Sequence, residues 1–397
     1  MRKTSSRIIV ILVITALLSM SVAACGGGGN APAPNQPAGN QPSGNQPSGN
    51  QPSGNQPSGN QPSGNQPSGT PPANPIVLRV GYHEPANGSF DLAFQDIAAQ
   101  IEAKTNGACK LELYPGELLG KGADMVSMVV NGVADIGWVV SAFFPGQFPI
   151  TEVSNLPMMG IRDSRVGAKS LWDFSQVTPE IIEEWSYGMH LLTFTTSGYQ
   201  FISTASKQVF VPDDLKGLKI RVAGSIPSRF IEVVGGSPVS LPKPDIYEAM
   251  DKGVIDGFSL DWLGSDSSKL QEVTNYVMDM PFLTVPHGII MNQAKWDALP
   301  DDIKAVFDEV FGVNATQVFG TAWDESDAPL SKDFAAMPGR TITSVTDAQA
   351  ALWRDSARPI WDEWISAMDE KGLDGQAMLD KFLGFVEQNT KSIPKAG

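Results

Sequence analysis

Apolar and polar positions change period several times along this chain, and each change marks an element. Ile76 to Gly81 is an apolar run that predicts a strand. From Ser89 to Lys104 the residues Phe94, Ile97, Ala98 and Ile101 recur at helical spacing, and Asn106-Gly107 supplies the stop. Cys109 to Tyr114 alternates as a strand does. A short helix over Ala123 to Asn131 ends at Gly132, and Asp135 to Val140 reads as the next strand. Further on, Pro212 to Gly217 is a turn with a short helical piece, Lys219 to Val222 a half-buried strand, and Ser225 to Val234 a helix stopped by Gly235-Gly236. Another helix starts at Leu299-Pro300-Asp301-Asp302, with Ile303, Val306, Phe307 and Val310 on its apolar face. The last sixty residues are mostly helical, and Trp353, Ile360, Trp361, Trp364 and Met368 form a stripe suited to packing. Strands alternating with helices predict α/β lobes. The stretch from Ile76 to Ser392 exceeds one ordinary core, so two lobes are expected.

One pattern occurs twice. Gly132-Val133-Ala134-Asp135-Ile136-Gly137 follows one short helix, and Gly253-Val254-Ile255-Asp256-Gly257 follows another that begins near Pro244. In each, glycine closes a helix and aspartate opens a strand. Two readings stay open at this point: related lobes, or the ordinary use of glycine at helix ends.

Ahead of the folded part lie two segments of different composition. Arg2, Lys3 and Arg7 precede an apolar run from Ile8 to Leu18, and Val22-Ala23-Ala24-Cys25 follows. Residues 1–24 therefore read as a secretory signal. The run is too short for a bilayer, which takes about 20 residues. Small residues before Cys25 resemble a lipobox, in which Cys25 becomes a lipidated N-terminus and ties the chain to the outer face of the cytoplasmic membrane. Residues 25–75 are a linker. Asn-Gln-Pro-Ser-Gly occurs six times without variation from Asn40 to Gly69. Such a tract has nothing to bury and is expected to be disordered, with a span of roughly 40 Å for about fifty residues.

Charge and rare residues then exclude several functions. Removing Arg2, Lys3 and Arg7 with the leader takes the formal charge from −15 to −18. Nucleic-acid binding needs clustered Lys and Arg, so none is expected. With Cys25 acylated, Cys109 is left without a disulfide partner and reads as a small core residue. His83, His190 and His287 fit no His-Glu-x-x-His pattern, and two cysteines cannot build a zinc site, so neither metal nor other cofactor is expected. No Gly-x-Ser-x-Gly elbow or P-loop is present. Acidic residues are plentiful and no pair stands out, which leaves a carboxylate-based hydrolase open as an alternative.

Arg221 is the basic residue of most interest. It closes a strand just before Ala223-Gly224, where a helix is about to begin. Ligands of open α/β lobes bind at the carboxyl ends of strands, and a guanidinium there presents two parallel donors to a carboxylate.

Here the sequence resembles a known family. Asp214-Leu215-Lys216-Gly217-Leu218-Lys219-Ile220-Arg221-Val222, Val234-Gly235-Gly236-Ser237-Pro238-Val239, Ile246-Tyr247-Glu248-Ala249-Met250 with Gly253 to Gly257, and Met291 to Trp296 with Leu299-Pro300 are similar, in that order, to the substrate-binding proteins of tripartite ATP-independent periplasmic (TRAP) transporters, the DctP family. The resemblance covers about residues 76–392. It implies a two-lobed α/β fold of the type II periplasmic-binding-protein kind, with lobes joined by hinge strands and bridging helices. The chain would cross near Ser197-Gly198 and again near Val285-Pro286. Lobe I would hold 76–198 and 286–325, and lobe II 199–285 and 326–397. It further implies a monomeric, non-enzymatic receptor that captures a small organic acid and delivers it to the membrane subunits of such a transporter. A binding component of an ATP-driven importer or a sensor is the rival. Arg221 takes the family's carboxylate-clamping position. Other positions depart: Tyr199-Gln200-Phe201 stands where many members have a second arginine, Ser259-Leu260-Asp261-Trp262 replaces an asparagine segment, and Lys243 lies where an aromatic is common. Together with Trp138, Ser141, Tyr199, Phe201 and Trp262, these departures imply a smaller or more apolar monocarboxylate than a sialic acid.

Overall fold

The computed structural model describes residues 74–395. Cys25 and the repeat tract, on which the lipidation and spacer expectations fall, lie outside the described residues. In chain order the elements are β1 (Ile76–Gly81), α1 (Ser89–Lys104), β2 (Cys109–Tyr114), α2 (Met125–Val130), β3 (Ile136–Val140), α3 (Ser164–Ser175), α4 (Pro179–Glu184), β4 (Met189–Thr196), β5 (Gln200–Thr204) and β6 (Lys219–Val222). There follow α5 (Ser225–Val233), β7 (Ser237–Ser240), α6 (Ile246–Asp251), β8 (Gly257–Leu260), α7 (Trp262–Ser267), β9 (Tyr276–Leu283), β10 (Pro286–Asn292), α8 (Gln293–Asp297), α9 (Asp301–Val310), α10 (Gly312–Ala336), β11 (Thr341–Thr343), α11 (Asp347–Asp369) and α12 (Gly375–Ser392).

Two sheets divide the strands. One runs β2-β1-β3-β10-β4 and the other β11-β9-β5-β8-β6-β7. In the first, β1 lies parallel to β2 and β3, while β10 is antiparallel to β3 and β4. In the second, β6 lies parallel to β7 and β8, while β5 is antiparallel to β8 and β9. The same plan is therefore used twice, and the repeated sequence pattern sits at matching places. Val133 N–H donates to Met128 O (2.8 Å) and Val254 N–H to Ala249 O (2.8 Å), each closing a helix at a glycine with positive φ. Asp135 and Asp256 then repeat one another. Asp135 N–H donates to Arg79 O (2.9 Å) while its carboxylate accepts from Arg79 N–H (2.9 Å); Asp256 does the same with Lys219 (2.8 Å both ways). Related lobes are the reading that fits.

Each sheet borrows a strand across the hinge. β4 of the first sheet leads into β5 of the second, and β9 of the second leads back into β10 of the first. The two crossings are bonded together: Ser197 N–H donates to Val285 O and Val285 N–H to Ser197 Oγ, both at 3.0 Å. A third crossing is α10, which packs on α1, α3 and β4 and, further along, on α7. The boundary expected at 325 falls inside this continuous helix. α12, expected with the second lobe, packs on α3 of the first, where Phe382 meets Phe174 and Asn389 Nδ2 donates to Asp173 (2.9 Å).

The tryptophan stripe is structural. Trp353 is fully buried against Phe230 and Phe282. The ring nitrogens of Trp361 and Trp364 donate to Pro157 O and Pro149 O, both at 2.8 Å, so α11 reaches from the second sheet's helices to the loop that follows β3. Cys109 is buried, and burial pushes its thiol up to about 11, as suits an inert core cysteine.

Candidate functional cleft

The carboxyl ends of the parallel strands in both sheets meet. β1 leads to His83-Glu84 and β3 to Ser141-Ala142. β6 carries Arg221 and leads to Ala223-Gly224, β7 leads to Leu241 and Lys243, and β8 to Asp261. Two contacts join the sets. Lys243 Nζ stands 3.9 Å from Glu84 Oε1, and a Cβ built on Gly224 would lie 3.9 Å from the Cβ of Ala142. The Ala142 methyl of one lobe thus approaches Gly224 of the other, three residues after Arg221.

Arg221 owes its setting to strand alternation. Its neighbours Ile220 and Val222 fill the core on one face, which turns the guanidinium to the other. It is 5% exposed. Its Nε–H donates to Leu241 O at 3.0 Å, and burial pushes its pKa down to about 10 with no acidic neighbour to offset the shift. A buried cation normally has a counter-charge. Here the described residues provide none.

At the strand ends of the first sheet the polar groups are sparsely partnered. Ser141 Oγ and His83 Nδ1 are buried without a hydrogen bond. His83 stacks flat on Trp138, with centroids 4.7 Å apart and planes 2° from parallel, and tilts against Phe143. Trp138 in turn packs on Phe90 at 4.0 Å and meets His287 edge-on. Burial lowers the pKa of both His83 and His287, so both rings are neutral at pH 7. Asp261 caps α7 through Gly264 N–H (2.7 Å), and burial raises its pKa to about 6 against the pull of Lys243. Asp327, on α10, accepts from Leu263 N–H (2.7 Å) and is raised by burial and then by Asp261. Its carboxylate lies against the hinge glycine Gly198, beside the unpartnered Nε1 of Trp323.

Of the residues singled out in the sequence, Arg221, Lys243, Asp261 and Ser141 come to these strand ends, and Trp138 lies one ring beneath His83. Phe201, Trp262 and Tyr199 do not join them. Phe201 packs on Trp262 at 4.5 Å in a satellite core with Val277 and Phe334, and Tyr199 Oη donates to Asp279 at 2.6 Å. The cause is position within the sheet. β5 lies two strands from β6, where α7 and the end of α10 cover the face that Arg221 shares. Phe201 and Trp262 instead line a small crevice of about 30 Å³ with Ser203, Phe258 and Phe334. Sequence reasoning passed over His83, Glu84, His287, Trp323 and Asp327. The strand-end rule that found Arg221 would also have found His83 and Glu84. Among the described residues no three His, Cys, Asp or Glu side chains come together as a metal-ligand set. No helix there is long and apolar enough to cross a membrane.

Two α/β lobes, crossed strands and strand ends converging on an uncompensated cation define a two-lobed solute receptor. The sequence matches the family described as bacterial extracellular solute-binding protein, family 7 (DctP), over residues 80–367. The chain belongs to this family, the substrate-binding proteins of TRAP transporters. It is 26% identical over 233 residues to the 2,3-diketo-L-gulonate-binding periplasmic protein of Escherichia coli, covering 57% of this chain and 69% of that one. It is 23% identical over 298 residues to the C4-dicarboxylate-binding periplasmic protein of Rhodobacter capsulatus, covering 73% and 87%. Among solved structures, a marine-metagenome TRAP solute-binding protein specific for aromatic acid ligands, in complex with metahydroxyphenylacetate, matches with a TM-score of 0.71 and 27% identity, covering 79% of this chain and 99% of that one. A Bordetella bronchiseptica TRAP protein with bound (R)- and (S)-mandelate gives 0.72 and 25%, again over 79% and 99%. The family and these neighbours are solute-binding receptors for small acids.

Proposed function

We propose that this chain is a lipid-anchored, monomeric receptor that closes on a small aromatic or similarly apolar monocarboxylate and hands it to the membrane subunits of a TRAP transporter. One observation carries the reading: Arg221 is a buried guanidinium at a strand end without a counter-charge. A ligand carboxylate would supply that charge through two parallel hydrogen bonds. Ser141 Oγ and His83 Nδ1 would bond the rest of the ligand, and the His83–Trp138 stack would wall its apolar part. Lys243 and Asp261 would border it from the second lobe. The neighbours that bind mandelate and metahydroxyphenylacetate support an aromatic acid. Lobe closure would strip water from the charged contact and strengthen it. Lipid attachment rests on Cys25 and its flanking residues.

A thermal-shift panel tests the proposal. Benzoate, 3-hydroxybenzoate and mandelate are compared with benzamide, succinate and glucuronate. A ligand at about 100 times its dissociation constant stabilises by roughly 2.7 kcal/mol. The expected result is a clear upward shift for aromatic acids and none for benzamide. Equal shifts for benzoate and benzamide would refute carboxylate recognition, and a shift with glucuronate alone would refute the apolar class.

A further inference from the structure

The two cations at the strand ends are not equivalent. Lys243 Nζ faces Glu84 Oε1 at 3.9 Å from the opposite lobe, and Asp261 adds a second negative charge on its own side. Arg221 has neither. The imidazoles of His83 and His287 are neutral and contribute no third cation. Glu84 is also held in place. It follows directly on His83, whose ring is clamped flat on Trp138, and His83 Nε2 lies 3.5 Å from the same Oε1. With side chains 19% and 37% exposed, Glu84 and Lys243 are hydrated enough that the pair adds little to stability. Its effect is on the charge a ligand meets.

We infer that Glu84 cancels Lys243 and thereby sets the cleft to read one carboxylate rather than two, so that Glu84 determines selectivity for monocarboxylic over dicarboxylic acids. The inference rests on Arg221 binding the first carboxylate. A second carboxylate on the ligand would have to displace Glu84 from Lys243 and then lie beside it, like charge against like. Glu84 acts through Lys243 and is a positioning residue.

The test uses calorimetry at pH 7.5 on the mature chain with two probes of one ring, benzoate and terephthalate. The wild type should prefer benzoate by at least about tenfold. Glu84→Gln removes the negative charge that faces Lys243 from the opposite lobe and leaves Asp261 as its remaining acidic neighbour, so the ratio should move toward terephthalate by about tenfold. Glu84→Asp keeps the charge and should keep the wild-type preference. Glu84→Gln combined with Lys243→Met should restore it, because the cleft again holds one free cation. A merely structural role for Glu84 would shift both acids together and would not be reversed by removing Lys243. A wild type that binds terephthalate within threefold of benzoate, or a Glu84→Gln ratio equal to wild type, overturns the inference. Arg221→Met separates it from the parent reading. If that variant loses both acids while Glu84→Gln leaves the ratio unchanged, only the selectivity role falls. If Arg221→Met keeps both acids, or the wild type binds neither, both fall.

Discussion

Arg221→Met should act in opposite directions on binding and on stability. Methionine keeps part of the apolar stem and deletes the charge. The guanidinium is 5% exposed and burial takes its pKa from 12.5 to about 10. A shift of that size corresponds to roughly 3 kcal/mol of desolvation in the ligand-free protein as folded here. Hydration on opening relieves part of it, so a gain of about 0–2 kcal/mol remains for the variant, or up to roughly 5 °C in Tm. Binding moves the other way. A ligand carboxylate without its buried partner costs roughly 3–5 kcal/mol, or about two to three and a half decades in affinity. Arg221→Lys keeps the charge but not the fork and should recover only part of that loss. Calorimetry with an aromatic acid and its amide, together with melting curves of ligand-free protein, reads both effects. A methionine variant that binds the acid within about threefold of wild type would refute the clamp. A ligand-free Tm lowered by more than about 5 °C would make the guanidinium a structural group instead.

Three further outcomes are expected. Cys25→Ser should release the protein from membranes or leave the precursor unprocessed, and an unchanged lipid-labelled product would contradict the lipobox. Burial alone raises the Glu152 carboxyl to about 7 from 4.5, so the folded state holds its proton more tightly than the unfolded chain and loses stability as pH climbs from about 4.5 to 7. Glu152→Gln should flatten that slope and raise stability at pH 8 by on the order of 2 kcal/mol with no gain at pH 4, and melting curves that keep the wild-type slope would disprove it. In Gly288→Ala the new Cβ would stand 2.4 Å from the ring of Trp185, which is stacked on Phe148 at 3.8 Å and cannot swing aside. The loss should be roughly 1–3 kcal/mol, measured by denaturant titration, and a neutral result would mean that the ring yields.

Local pattern carried a good deal of this fold. β1, α1 and β2 match the stretches read from periodicity, because each buries one regular face and ends at a turn residue. α10 was passed over, although at 25 residues it is the longest helix described. It buries Thr316 and Asp324 alongside Phe319 and Trp323, so no apolar stripe shows in the sequence; Asp324 is satisfied by Ser164 N–H and Arg165, which lie far off in the chain. The site divides the same way. The place of Arg221 at a strand end was legible because strand-end position is local. The separation of Phe201 and Trp262 from Arg221 was not legible, because the element covering a strand face is decided by distant helices. The Glu84–Lys243 pair joins residues from two lobes, and nothing near either one announces the other.

The strand exchanged across the hinge also sets a timetable for biosynthesis. β3, with all five residues buried, has β10 as one neighbour, and β4 pairs in its sheet only with β10. β10 ends at Asn292, about 150 residues after β3 is complete. At 5–20 residues per second, roughly 8–30 s pass between the emergence of the two strands. Through that interval the nascent chain carries an apolar edge, Ile136 to Val140, with an open row of backbone donors and acceptors that any other strand could occupy. The first lobe therefore cannot finish early. Its topology keeps it unfinished until most of its length has been made.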